Sequence, residues 1–148
     1  MTIAQTTTTS FKTELLQAVH NFGPVLPDTF YIALYTGAAS IDANTTTYTT
    51  SGETTGSGYT AGGQPLTITT APTSALTNGG VPTAFISFAN VTWANATFTA
   101  RGALIYNASK GNKSVAVLDF GSDKTKNGTD FTIQFPVAGA NTSIIRIS

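Results

Sequence analysis

A chain of 148 residues is long enough for one domain that buries roughly 70% of its unfolded surface without help from a metal or disulfide. Only 9% of the residues are charged, and seven basic against seven acidic side chains leave a net charge of zero, which excludes the basic face that nucleic-acid phosphates demand. Cysteine is absent, so there is no disulfide and no thiolate metal site, in keeping with folding in a reducing cytosol, and no apolar run is long enough for a bilayer-spanning helix.

Met1–Thr9 is polar and unpatterned. It reads either as a disordered tail or as an arm, residues 1–9, that orders on a neighbouring subunit by adding to a sheet edge. It has neither a basic start nor an apolar run, so no signal peptide is expected. Residues 10–148 then form a single β-sandwich domain that begins with a helix over about residues 10–22. Ser10 can cap that helix, and Phe11, Leu15, Leu16, Val19 and Phe22 fall on one face. Glu14 sits early, where the helix dipole favours a negative charge, and Gly23-Pro24 stops the helix.

Thr29–Tyr35 alternates as a strand with aromatics on both faces. Gly37–Gly63 is dense in Gly, Ser and Thr, with a short strand expected at Thr45–Thr50 and a turned or mobile loop at Gly56–Gly63. Leu66–Thr70 reads as a short strand and Ala71–Pro82 as a loop. The organising stretch is Ala84–Leu118. Ile86 and Phe88 share one parity, Val91 and Trp93 the other, so the chain needs a bulge or break near Ala89-Asn90. Ala103–Tyr106 and Val115–Leu118 are apolar on both faces, which predicts paired central strands covered on both sides. Pairing Tyr106 opposite Val115 places Arg101 beside Asp119 or Asp123, its expected partners. Asp119–Asp130 reads as a long turn around Asn127-Gly128. Phe131–Phe135 and Ser143–Ile147 are the last strands, with a turn at Pro136–Asn141 between them. The expected fold is mainly β, an antiparallel sandwich of seven to nine short strands, jelly-roll-like, with one N-terminal helix. Phe88, Trp93, Phe98, Leu104, Val117, Leu118 and Phe120 are its expected core.

Few residues suggest chemistry. His20 is the only histidine, so a Ser-His-Asp arrangement would have to use it. With no carboxylate evidently placed to orient it, it reads as a helix-surface or interface residue. Asp119, Asp123 and Asp130, with Asn127, bracket one segment, but lack the regular spacing of a calcium loop and read as turn and cap residues. Trp93 with Tyr31, Tyr35, Tyr48, Tyr59 and Tyr106 would make a sugar-stacking platform if exposed; a buried Trp93 is the reading its apolar neighbours favour. Glu14 and Glu53, in a helix and a flexible loop, do not form a glycosidase pair. No catalytic residue, cofactor or metal site is expected.

Several stretches together resemble a family of small virion proteins of tailed bacteriophages. They are Phe11–Leu16, His20–Phe22, Asp28–Tyr35, Gly58–Gly63, Thr97–Asn107 and Val115–Lys124. The resemblance spreads over nearly the whole chain. It implies a non-enzymatic structural protein, a head decoration or cement protein on the capsid surface, assembled in the cytoplasm of a bacterial host. Its implied partners are the major capsid protein and itself as a homotrimer, with no nucleic acid and no membrane. The alternative is a tail or fibre component, with a carbohydrate- or receptor-binding module as one form; an exposed Trp93 would favour it.

Overall fold

The computed structural model describes residues 1–148. In chain order the elements are β1 (Thr6–Thr7), α1 (Thr9–Leu16), β2 (Phe30–Tyr35), β3 (Gln64–Leu66), β4 (Ile68–Leu76), β5 (Pro82–Phe88), β6 (Val91–Asn107), a single 3-10 turn (Ala108–Lys110), β7 (Lys113–Ile133) and β8 (Ile145–Ile147). The chain is mainly β, in two antiparallel sheets with one helix. The larger sheet has the order β1-β7-β6-β2-β3, the smaller β4-β5-β8. No three consecutive strands pair in succession, so the expected jelly roll, which is built from Greek keys, is not traced.

The main core lies between the sheets. Phe30, Ile32 and Leu34 of β2 meet Phe98 and Ile105 of β6 there, with Phe88 of β5 and Ile145 of β8 completing it. A second cluster covers the opposite face of the large sheet, where Ala39 and Ile41 pack over Tyr35, Leu104, Tyr106 and Val117. The two central strands are thus buried on both faces, as their apolar pattern requires. All the expected core residues are buried except Phe120, which is half-buried at the margin.

The break near Ala89-Asn90 is where the chain passes from the small sheet into the large one, between β5 and β6. The expected register runs from Gly102 opposite Asp119 to Ile105 opposite Ala116, then slips by one so that Tyr106 faces Ser114.

Four expectations about elements need correction. Asp119–Asp130 is not a turn: β7 continues through it to Ile133, with bulges at Phe120–Asp123 and at Gly128. Gly121 and Gly128, at φ 77° and 64°, absorb the irregularities without ending the strand. Ala71–Pro82 is not a loop. Its first half, Ala71–Leu76, belongs to β4, an edge strand, where Pro72 falls at a register shift and removes no ladder bond from a central position. Thr45–Thr50 contributes a single bridge, Thr47 to Lys113, instead of a strand.

The helix is shorter than expected. Its cap is Thr8, whose hydroxyl accepts the Phe11 N–H, not Ser10. It ends at Leu16, and Ala18 at φ 57° turns the chain away. Phe22 then folds back and stacks on Phe30 with ring centroids 4.3 Å apart. Leu16, expected inside, is 92% exposed, and Glu14 takes the buried place. The arm does not extend away from the domain: Thr6 and Thr7 pair with Val117 and Ala116 of the same chain, and Ile3 bridges Ile41.

Candidate functional site

His20 lies beyond the helix and is buried, contrary to its reading as a surface residue. Its Nε2 is 2.9 Å from Glu14 Oε2, and its Nδ1 is 3.0 Å from Asn107 Nδ2. Asn107 Oδ1 accepts the Ser109 N–H, while its amide nitrogen also donates to Asp28 Oδ2 at 2.8 Å. That network assigns the tautomer: Nδ1 accepts and Nε2–H donates to Glu14. Lys113 Nζ sits 2.6 Å from the other Glu14 oxygen. Burial alone pushes the Glu14 carboxyl up, but the hydrogen bonds from Lys113 and His20 outweigh it and hold the group below the usual carboxylate range. Glu14 is the carboxylate that the sequence did not show beside His20. With both ring nitrogens committed, the imidazole is a tie between the helix end and the β6–β7 turn.

Glu53, read from sequence as a loop acid, is the centre of a second network. It accepts from Tyr48 OH, Tyr59 OH and Gly62 N–H, each at 2.7 Å. Tyr106 OH donates to Gly62 O at 2.8 Å, and Tyr35 OH to Thr49 O at 2.6 Å. Burial, then the Glu53 charge, pushes the Tyr106 hydroxyl up to about 12. Burial raises the hydroxyls of Tyr35, Tyr48 and Tyr59 as well. These four rings therefore remain neutral donors that clamp the Gly37–Gly63 segment onto the sheet. Trp93 is 1% exposed, packed between Tyr59 and Phe131, and offers no stacking surface.

The three aspartates do not converge. Asp119 accepts the Gly121 N–H at 2.8 Å and Arg101 Nε at 3.1 Å, and these bonds, in that order, hold its carboxyl low. Asp130 accepts the Asn95 N–H across the hairpin. No group of three His, Cys, Asp or Glu side chains stands close enough to hold a metal ion.

The feature that sequence reasoning passed over is an apolar turn. Val25 is 75% and Leu26 87% exposed, yet the turn is fixed from within. Asn21 Nδ2 reaches the carbonyls of Val25 and Leu26 at 3.3 and 3.0 Å, and Asn21 Oδ1 accepts the Gly23 N–H at 2.8 Å. Asn21 N–H in turn donates to Asp28 Oδ2 at 2.9 Å. Leu26 is held at φ 48°, in the left-handed region that a bulky residue seldom occupies unaided. The signal was in the sequence: an apolar pair enclosed by Pro24 and Pro27 has no core pattern to join. The neighbouring residues Phe11, Leu15 and Phe22 form, with Phe85 and Ile147, the apolar lining of a cleft of about 340 Å³ between α1 and the small sheet. Set against protein-family models, curated proteins and solved structures, the chain matches none.

Proposed function

We propose that the protein is a structural component of a tailed-bacteriophage particle, a decoration or cement protein that binds the head and stabilises it. The observation that carries this reading is the rigid apolar turn at Val25-Leu26. A large apolar side chain held out into water by a network of side-chain hydrogen bonds is suited to contact, because little ordering remains to oppose binding. The rest of the surface agrees with such use. Leu16, Leu76, Val81 and Val137 are also exposed, and the scarcity of charge lowers the cost of desolvating the surrounding faces. The likeness of Asp28–Tyr35 and Thr97–Asn107 to virion proteins supports a capsid as the surface met. Major capsid protein and further copies of the chain, as a homotrimer on the virion surface, are the partners of this reading. Repeated contacts would convert weak single affinities into firm attachment.

The test is to add the purified protein to particles that lack it, and to image them while measuring the temperature at which the genome is released. Density on the head and a raised release temperature are expected. Leu26→Asp should abolish both without changing the circular dichroism of the free protein. Density on the tail alone would replace this reading with the tail or fibre alternative. Full binding by the variant would remove the turn from the contact.

A further inference from the structure

On one side β7 is bordered by β6 along most of its length; on the other it meets β1, at Ala116 and Val117, and a single bridge from Thr47 to Lys113. From Leu118 to Ile133 that outer edge pairs with no strand. The arm leaves it at Gln5, and Ala4 bonds Ile41 instead. Against the free edge lies a cleft of about 580 Å³, whose apolar lining is Leu118, Phe120, Phe131, Ile133 and Ile144.

Lys124 and Lys126 line the same cleft. They stand two positions apart, so they share a face, and they oppose Ala100 and Phe98, whose side chains point into the core. Lys126 makes no ion pair or hydrogen bond, and Lys124 bonds only Ser122 Oγ, at 2.8 Å. Among the acids of the cleft, Asp119 is engaged by Arg101, which leaves Asp130 alone against two ammonium groups. An unpaired edge is a template for a further strand, and lysine ordinarily guards it by leaving its own charge unmatched in any strand that docks. A strand that brought the matching charge would be admitted.

We propose that this edge takes an extended segment of another chain, added as a strand beside Leu118–Ile133. Acidic side chains at alternate positions would face Lys124 and Lys126, with an apolar side chain among Phe120, Phe131 and Ile144. A second copy of this chain does not supply that segment, because no two of its seven acidic residues stand two positions apart. The proposal goes beyond the decoration reading and does not depend on it, since it is tested on the free protein.

The experiment titrates the isotope-labelled protein with a blocked peptide of alternating Glu and Val, and with its Lys and Val counterpart. The acidic peptide should shift, and protect from hydrogen exchange, alternate amides between Lys124 and Ile133, with affinity that falls as salt is raised. The basic peptide should bind at least about tenfold more weakly, and the pair Lys124→Glu with Lys126→Glu should reverse that preference. Three results would overturn the proposal: no change along β7, equal binding of both peptides, or the same shifts arising from protein concentration alone, which would make a second copy the occupant. If the double variant fails to fold, the two peptides on the unaltered protein still decide.

Discussion

Ile3 occupies the space that a side chain on Gly102 would need. A Cβ built at Gly102 falls 2.7 Å from Ile3 Cγ2 and 2.5 Å from the Leu118 carbonyl oxygen. The glycine of the central strand is therefore a seat for the N-terminal arm, and the contact joins residues almost a hundred positions apart. Gly102→Ala should lower stability by about 1–3 kcal/mol in urea unfolding, since neither strand backbone nor arm can yield freely. Amides of Thr6 and Thr7 should lose exchange protection before the rest of the sheet. Retained protection there, with unchanged stability, would mean that the arm is not seated on Gly102.

Phe98 lies in the main core, 5% exposed, against Tyr59 and Phe131. Phe98→Ala should cost on the order of 3–5 kcal/mol. Leu16→Ser, at an exposed helix end, should stay within about 0.5 kcal/mol. Paired urea titrations test the contrast. A loss under about 1 kcal/mol at Phe98 would contradict its burial.

What could be read beforehand follows from where the information lies. Alternation fixes the phase of Phe30–Tyr35 and Phe131–Ile133, and two-faced apolar runs mark Ala103–Tyr106 and Val115–Leu118, because burial acts directly on those side chains. The chain's passage between sheets at Ala89-Asn90 was visible as a change of parity. The start of β4 was visible in Leu66–Thr70, but its continuation from Ala71 to Leu76 was not, since an edge strand exposed on both faces from Pro72 onward needs no alternation. The continuation of β7 was hidden by Gly121 and Asn127-Gly128, whose turn chemistry the strand accommodates as bulges. Helical periodicity ran on past Leu16, and nothing local reveals that Glu14 is drawn inside by Lys113, 99 positions away. The hub role of Glu53 was hidden for the same reason: its partners are fixed by how a glycine-rich segment folds over the sheet.

Glu14 offers a test in acid. Its folded pKa is depressed, so the unfolded chain binds the proton more tightly. Its contribution is present in full above the ordinary glutamate value of about 4.3 and is lost as pH falls through the lower folded value. Urea midpoints measured between pH 7 and pH 3 should therefore decline below about pH 4.3. Glu14→Gln should start lower at neutral pH, because it leaves Lys113 without its counter-charge, and should lose part of that decline. An acid limb identical to that of the parent would show that Glu14 titrates as a free carboxylate.

Arg101 and Asp119 look like equal partners, yet their removal should not be equivalent. Their side chains are 34% and 26% exposed, so solvent screens the pair and its direct worth is at most about 1 kcal/mol. Arg101→Ala should show no more than that in urea. Asp119 also holds the Gly121 N–H, at the start of the Phe120–Asp123 bulge, and that bond is the larger cause of its depressed pKa. Asp119→Ala should therefore free the bulge as well as the arginine. Amide exchange at Gly121–Asp123 should quicken in Asp119→Ala and remain unchanged in Arg101→Ala. Equal acceleration in both variants would show that the ion pair, and not the turn bond at Gly121, shapes the bulge.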